Sequence, residues 1–328
     1  MSSTAEAEGN VEASASVSVS VSASELKRDN GLQSRCFCSQ RNRVDDTPES
    51  NPAVAAEEYT VGWVYALPLE MAAAKGMFDR VHPNLPQQNS ADHNNYILGQ
   101  VGQHEVVIAC LPAGIYGTTT AATVAKDFMR TFQSIRFGLM VGIGGGVPSP
   151  THDIRLGDVV VGQPTGVYGG VVQYDRDATC AQYDHEQTVH RETRDDTDSE
   201  IHYGAIASGN QVIKHGETRD RLSKELGSLC FEMEAAGLQN FPCLVIRGIS
   251  DYADSHKNNM WQGYAAATAT AFAKELLFII SPVRVLQEKP VPQLVSIAKE
   301  QLQVSAQHLE VSTDSLAEHR RTKYEVCS

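Results

Sequence analysis

Residues 230–254 constrain this chain more tightly than any other stretch. They begin C-F-E-M-E-A-A-G-L, pass through an Asn-Phe-Pro turn and continue C-L-V-I-R-G-I-S-D-Y-A-D. The apolar run at 243–246 has the length and the β-branched content of a buried parallel strand. Charged and polar residues lie on both sides of that run: Glu232, Glu234, Arg247, Ser250, Asp251 and Asp254.

In an open α/β sheet, ligands bind in the crevice outside the carboxyl ends of the strands. Polar groups that end an apolar strand therefore predict a binding site. The structural alternative is that Asp251 caps the next helix and that Arg247 pairs with a surface acid. Two acidic clusters joined by one strand favour the functional interpretation.

Strand-like and helix-like segments alternate along the rest of the chain from residue 59 onward. Strands are predicted at 60–67, at 95–102 and 104–111 (a hairpin), at 137–143, at 156–162, and from 201 to a Ser-Gly-Asn turn at 208–210. Helices are predicted at 68–77, 120–132, 218–226 and 263–280. This alternation predicts an α/β sandwich.

The predicted strand at 137–143 ends in G-I-G-G-G. A Gly-rich loop after a strand allows backbone N–H groups to approach a phosphate or a sugar. The spacing matches neither the dinucleotide-binding fingerprint nor the P-loop, so a dinucleotide or kinase-type site is not supported. A tight turn that needs a positive φ is the structural alternative.

The composition restricts the partners. A net charge of −13 in 328 residues argues against a nucleic acid or a membrane surface, because both are polyanionic. No signal peptide or membrane-spanning run is predicted, so a cytoplasmic or nuclear location is expected. Seven cysteines at irregular spacing predict no disulfide framework, and no metal site is predicted.

Composition also divides the chain into segments. Residues 1–57 are rich in Ser, Ala and Glu and are predicted to be a disordered leader. Residues 58–283 form the predicted folded domain, which contains a polar insert at 176–200. Residues 284–328 are predicted to be a helical tail with a narrow apolar stripe.

The paired motifs F-E-M-E-A-A-G and I-R-G-I-S-D-Y-A-D resemble the purine and uridine phosphorylase superfamily. The similarity is greatest to its methylthioadenosine/S-adenosylhomocysteine nucleosidase branch and to fungal nucleoside-phosphorylase-like domains, and it covers about residues 59–282. It implies a three-layer sandwich in which helices flank a mixed central sheet. It also implies a homo-oligomer that acts on a small-molecule purine nucleoside without a cofactor. Relative to the fungal relatives, the 176–200 segment is shortened.

The resemblance assigns contacts with the sugar and activation of the nucleophile mainly to acidic residues. Glu234 would hold the ribose hydroxyls, Met233 would pack on the sugar, and Glu232 would assist there. Glu70, in the segment A-L-P-L-E, would activate a water molecule. Gly144 and Gly145 would face the nucleophile or the sugar.

The resemblance assigns contacts with the leaving base, and its protonation, to a second group of residues. In the resembled family the Asp of the Ser-Asp motif protonates purine N7, which here is Asp251 beside Ser250. The backbone of Val212 and Ile213 would face the purine, and an aliphatic Val212 leaves the identity of the base open. Arg247 would orient the acids.

Three functions follow from these assignments. The first is hydrolysis of the N-glycosidic bond of an adenine-type nucleoside or nucleotide, which releases free base. The second is phosphorolysis, with inorganic phosphate as co-substrate, for which Arg155 and Arg247 are the nearby cations. The third is a catalytically impaired domain that senses a ligand or acts as a scaffold. Glu70 favours the first, because a nucleosidase needs a base for water where a phosphorylase needs cations.

Overall fold

A computed structural model describes residues 53–165, 168–174, 194, 198–301 and 303. The chain divides into Met1–Pro48 and Glu49–Ser328, and every described residue belongs to the second unit. The predicted leader up to residue 52, most of the 176–200 insert and the tail beyond residue 303 lie outside the described residues. The predicted domain boundaries therefore stay predictions.

Strands of the described chain join one mixed sheet. They are β1 Val61–Tyr65, β2 Arg80–Val81, β3 Tyr96–Val101, β4 His104–Cys110, β5 Phe137–Gly146, β6 Val159–Gly162, β7 Val171–Gln173, β8 Ile201–Ser208, β9 Ser228–Glu232 and β10 Cys243–Asp251.

The helices are α1 Pro68–Lys75, α2 Thr118–Thr131, α3 Gly216–Leu226, α4 Gln262–Ile279 and α5 Pro282–Gln287. Short 3-10 helices occupy Ala56–Glu58 and Ala235–Leu238, and residues 291–301 are also helical. Local sequence signals mark one helix start and one helix end. Pro68 opens α1 at a first-turn position, and Gly227 ends α3 in the left-handed conformation with φ 64°.

The strand pairing closes half of the sheet into a ring. β5 pairs with β9, β9 with β8, β8 with β6, β6 with β10, and β10 pairs back to β5. The other half extends from β5 through β1, β4, β3 and β2 as an open sheet. The predicted mixed α/β sheet with helices is confirmed. The three-layer arrangement of the sheet and helices stays a prediction. It did not include the ring of five strands.

Helices pack against this sheet where the strands carry glycine. Phe128 of α2 and Phe241 lie against Gly62 of β1, and their rings pack edge to face at 5.6 Å. On α4, the Ala265 backbone lies directly against Gly248 of β10. A side chain at either glycine would separate the layers, so these contacts fix the helices close to the strands that carry the polar residues.

Two strands are longer than the sequence predicted. β5 continues through the G-I-G-G-G run to Gly146, so the expected Gly-rich loop is strand. β10 continues to Asp251, so Arg247, Ser250 and Asp251 lie within the strand. The two extensions support each other because residues 243–251 of β10 pair in parallel with residues 138–145 of β5. Asp251 does not cap a helix, since α4 begins at Gln262.

Among the described residues, no helix is long and apolar enough to cross a membrane.

Candidate active site

Glu70 is held at the start of α1, at the third helical residue. Its Oε2 accepts hydrogen bonds from the N–H groups of Leu67 at 2.8 Å and Ala66 at 3.1 Å, and its Oε1 accepts from Ile143 N–H of β5 at 2.8 Å. Burial raises the pKa of Glu70 above its usual range, although Arg247 and the three N–H groups oppose that shift. The carboxyl group is thus fixed in position and prefers to hold a proton more than a surface glutamate does.

Arg247 lies fully buried on β10 and faces Glu70 across Gly142. A Cβ on Gly142 would lie 2.5 Å from Oε1 of Glu70 and would also collide with Nη1 of Arg247. Arg247 Nη2 forms a buried ion pair with Oε2 of Glu232, whereas Nε and Nη1 have no hydrogen-bond partner among the described residues. Burial alone would lower the pKa of Arg247, but the surrounding glutamates outweigh it and the pKa is raised.

Glu232 ends β9 and binds the turn that follows it. Its carboxylate accepts hydrogen bonds from the N–H of Glu234 at 3.1 Å and from the N–H of Ala235 at 3.1 and 3.2 Å. These bonds hold Glu234 and the first residue of the 3-10 helix Ala235–Leu238 beside the Glu232 carboxylate. Met233, between the two glutamates, is half-buried.

Glu234 is buried beside the other charges of this cluster. Burial, followed by the negative charge of Glu232, raises the pKa of Glu234 to about 7. The charge of Arg247 and a hydrogen bond from the Gly117 backbone oppose the shift, while Glu70 adds to it. One arginine and three glutamates therefore form a single electrostatic unit, in which carboxyl groups outnumber the cation.

Asp251 forms a second group of contacts at the end of β10. Its Oδ1 accepts Ala253 N–H at 2.9 Å, and its Oδ2 accepts the Ser250 hydroxyl at 2.9 Å. Lys257 Nζ lies 2.8 Å from the same Oδ2 and forms an ion pair with it. A Cβ on Gly145 would lie 2.8 Å from Oδ1 of Asp251, so Asp251 rests directly on that glycine.

The two groups lie along one pair of strands. Arg247 is opposite Gly142 and Asp251 is opposite Gly145, with Gly144 between them. Asp251 lies four positions after Arg247, which is at most about 13 Å at the rise of an extended chain, since the pairing is irregular between Ile249 and Asp251. The structure brings Glu70, Glu232, Glu234 and Arg247 together. Ser250 and Asp251 follow further along β10, where they contact Gly144 and Gly145 of β5.

Hydrogen bonds hold the loop at residues 209–213 next to Glu232 and to the start of α2. Gly209 N–H donates to the backbone oxygen of Glu232 at 3.2 Å. The side-chain oxygen of Asn210 accepts from Thr118 N–H at 3.0 Å and from the Thr118 hydroxyl at 3.1 Å, at the start of α2. The loop therefore joins the end of β9 to the beginning of α2.

Val212 and Ile213 follow in this loop. The Tyr174 hydroxyl donates to the backbone oxygen of Gln211, which anchors the loop from the other side. Val212 is exposed, whereas Ile213 is half-buried against the apolar cluster that contains Ala253. The proposed contact of their backbone with the purine therefore stays a prediction.

Residues 60–277 match the family described as Phosphorylase superfamily. That match spans most of the described chain and includes the acidic residues at 70, 232, 234 and 251. The chain belongs to the phosphorylase superfamily. The predicted resemblance is confirmed.

The relatives of this superfamily member align with different shares of its chain and of their own length. A nucleotide-binding leucine-rich repeat (NLR)-like protein of Hyaloscypha variabilis is 40% identical over 311 residues, which is 74% of this chain and 31% of that protein. This chain therefore spans about a third of that relative. A 5'-methylthioadenosine/S-adenosylhomocysteine nucleosidase of Mycobacterium bovis is 25% identical over 259 residues, 67% of this chain and 96% of that protein.

A solved structure has the same fold. The Helicobacter pylori 5'-methylthioadenosine/S-adenosyl homocysteine nucleosidase superposes with a TM-score of 0.52 at 21% identity, covering 68% of this chain and 100% of its own. At that identity the likeness concerns the fold alone.

Sequence reasoning missed several residues of this superfamily member's site. Gly142 stands in the quoted G-I-G-G-G run, but only the strand register shows that it faces Glu70 and Arg247. Asn210 and Thr118 are 92 residues apart, and nothing in the sequence pairs them. Lys257 lies in the polar segment S-H-K-N-N, where no periodicity indicates that its side chain returns to Asp251.

A separate charged cluster lies at the start of β6 and β8 of the superfamily domain. Ligand atoms of Asp158, Glu200 and His202 lie within 4.8 Å of one another, a spacing that could hold a metal ion. Arg194 already donates from Nη1 and Nη2 to the two carboxylate oxygens of Asp158, each at 2.7 Å. Burial raises the pKa of Asp158, but the bonds from Arg194 and His202 dominate and hold it well below its usual range. The guanidinium group of Arg194 thus neutralises the Asp158 carboxylate.

Proposed function

We propose that this chain hydrolyses the N-glycosidic bond of an adenine-type purine nucleoside or nucleotide and releases the free base. The observation that carries the proposal is the fixed, buried carboxyl group of Glu70, which lies across Gly142 from Arg247. Two nitrogens of that arginine have no hydrogen-bond partner in the part of the chain that the structure describes. A water molecule between these groups would have an acceptor for its proton and a donor for its oxygen. Family membership and the distant nucleosidase relatives support an enzyme of this type.

The reaction requires three contributions from the protein: negative charge near the sugar, a base that activates water, and an acid that protonates the leaving base. Cleavage of a ribosyl C–N bond passes through an oxocarbenium-like state, which negative charge stabilises. Glu234 and Glu232 would supply that charge and accept the ribose hydroxyls. Glu70 would take the proton of the attacking water, and the group around Asp251 would face the leaving base and protonate it.

Electrostatics favours water over phosphate as the nucleophile. Arg247 is already paired with Glu232 and lies among three glutamates. A phosphate dianion bound at this position would meet like charges in a poorly solvated site, which costs free energy. A neutral water molecule meets no such repulsion.

The proposal is tested by incubating the protein with nucleosides and nucleotides, with and without phosphate, and measuring free base by chromatography. We expect base release that does not depend on phosphate. Glu70→Gln and Asp251→Asn should each reduce kcat about 10²- to 10⁴-fold, the usual contribution of a general acid or base. Glu225→Gln, an exposed acid on α3, is the matched control and should keep wild-type turnover. Strictly phosphate-dependent release would replace hydrolysis by phosphorolysis.

A second candidate is a domain that binds a purine nucleoside but does not cleave it. The observation in its favour is the ion pair between Lys257 and Asp251, which occupies the proposed acid. The relative described as a nucleotide-binding leucine-rich repeat (NLR)-like protein is a further reason to consider binding without cleavage. This candidate predicts measurable nucleoside binding with no base released at any phosphate concentration.

A further inference from the structure

The residue that precedes helix α2 has no side chain with which to cap that helix. Gly117 has a φ of 104°, in the left-handed region that glycine adopts without strain. The first N–H groups of a helix have no partner within the helix, and a Ser, Thr, Asp or Asn at this position usually accepts one of them. At Gly117 the partner must come from elsewhere in the chain or from solvent.

Asn210 supplies that partner from a distant loop. Its Oδ1 accepts hydrogen bonds from the N–H of Thr118 at 3.0 Å and from the Thr118 hydroxyl at 3.1 Å. The same oxygen lies 2.6 Å from the point that a Cβ on Gly117 would occupy, so it fills the space of the absent side chain. Asn210 therefore caps the N-terminus of α2, although 92 residues separate it from Thr118 in the chain.

The start of α2 also contacts the turn that carries Glu234. The Gly117 backbone donates a hydrogen bond to the Glu234 carboxyl group. The backbone oxygen of Thr118 lies against Gly237 and leaves no room there for a Cβ. A shift of this end of α2 would therefore displace the N–H group that Glu234 accepts.

The two residues before Asn210 bind the same turn from the side of β8. Gly209 N–H donates to the backbone oxygen of Glu232 at 3.2 Å, and the Ser208 hydroxyl accepts Ala236 N–H at 2.9 Å. Residues 208–210 therefore connect the turn around Glu234 with the start of α2.

We propose that Asn210 is a positioning residue for Glu234, and that it acts by capping α2 and so fixing the Gly117 N–H that Glu234 accepts. The contact needs an acceptor oxygen on a side chain of this length, which asparagine and aspartate provide. Asn210 acts through Gly117 rather than by touching the substrate. The inference rests on the proposed function, in which Glu234 would accept the ribose hydroxyls.

The titration of Glu234 tests this role without requiring turnover. An N–H donated to a carboxylate favours its charged form, so loss of the Gly117 bond should raise the pKa of Glu234 further above its ordinary 4.5. In the wild type, the stability contributed by protonated Glu234 is lost as the pH rises from 4.5 to about 7. In Asn210→Ala that loss should continue to about one pH unit higher, the shift expected for one hydrogen bond to a charged group.

Urea denaturation from pH 5 to pH 9 measures the shift. Comparison with Glu234→Gln, and with the double variant Asn210→Ala/Glu234→Gln, isolates the part of the pH dependence that belongs to Glu234. These variants leave unchanged the other charged groups that face Glu234, which are Glu232, Arg247 and Glu70.

Two further variants serve as controls. Asn95→Ala, at an exposed asparagine just before β3, is the matched control and should keep the wild-type curve. Asn210→Asp keeps an acceptor oxygen at the cap, and it should retain wild-type stability at pH 5, where Glu234 is protonated. Asn210→Ser is too short to reach Thr118, and it replaces the alanine variant if that variant is poorly folded.

The outcomes separate positioning from a purely structural role. If Asn210 only holds the loop, Asn210→Ala should lower the stability equally at every pH. In the base-release assay Asn210→Ala should also lower kcat/KM, by about ten-fold. An unshifted titration, or an unchanged kcat/KM in a protein that releases base, would overturn the inference. Because the titration needs no substrate, absence of base release would defeat the proposed hydrolysis and leave the titration result intact.

Discussion

Arg247 carries one positive charge among three buried carboxyl groups, and this imbalance governs how the cluster titrates. Glu232 is bound directly to the guanidinium, whereas burial raises the pKa of both Glu70 and Glu234. Burying unpaired negative charge costs free energy, and taking up a proton relieves that cost. Glu70 and Glu234 therefore hold a proton more readily than exposed glutamates do.

Glu234 should make the stability of the protein depend on pH. Its folded pKa of about 7 exceeds the ordinary 4.5, so the folded chain holds a proton that the unfolded chain loses between these values. The stabilisation is complete below pH 4.5 and is lost as the pH rises through 7. From pH 5 to pH 8 the wild type should lose about 2 kcal/mol of unfolding free energy more than Glu234→Gln does.

Urea denaturation at these two pH values measures the difference. Glu225→Gln should follow the wild type, because Glu225 is an exposed acid. Equal losses in the wild type and in Glu234→Gln would show that Glu234 titrates normally in the folded protein.

At the scale of elements, the site depends on how closely β5, β10 and α1 approach one another. The glycines of β5 leave room on the strand that Glu70, Arg247 and Asp251 fill. A strand with side chains at these positions would push the acids apart, although its backbone pairing would be unchanged. The glycine run is thus a packing feature rather than a flexible loop.

Gly142→Ala tests this packing. The added methyl group would lie 2.5 Å from Oε1 of Glu70 and against the Arg247 guanidinium, so one of these side chains must shift. We expect destabilisation of about 1–3 kcal/mol, the usual cost of overpacking, and a loss of base release larger than the loss of folded protein. Thermal unfolding followed by circular dichroism, together with the base-release assay, measures both effects.

Gly263→Ala is the control for that variant. Gly263 lies in the first turn of α4, and nothing lies within 4 Å of a Cβ built there. It should keep full activity and be as stable as the wild type or slightly more so, because alanine favours a helix over glycine. Full activity in Gly142→Ala would contradict the placement of Glu70 and Arg247 across that glycine.

At the scale of the whole molecule, apolar side chains are exposed beside the loop at 209–213. Ile115 and Tyr116 precede Gly117, whose Cα–H faces Asn210, and Val212 follows Asn210 in the chain. Exposed apolar patches next to a binding site are typical of an interface or a ligand entrance. The resemblance to the superfamily implies a homo-oligomer.

We therefore expect the protein to self-associate. Light scattering on a sizing column should give a mass that is a multiple of the 35.6 kDa chain. Tyr116→Ser should shift the equilibrium toward smaller species if this patch lies in the interface, while Met260→Ser, at another exposed apolar residue, should not. A single-chain mass at micromolar concentrations would contradict the expectation.

The sequence alone establishes the α/β class, most element positions and the family, because apolar periodicity and two motifs are local properties of the chain. It also singled out Glu70, Glu232, Glu234, Arg247 and Asp251 as the residues to examine. Three features are visible only in the folded protein: the Gly-rich run is strand, the strands close into a ring, and Lys257 returns to Asp251. Those features arise from contacts between residues far apart in the chain or from a strained turn, and neither leaves a period in the sequence.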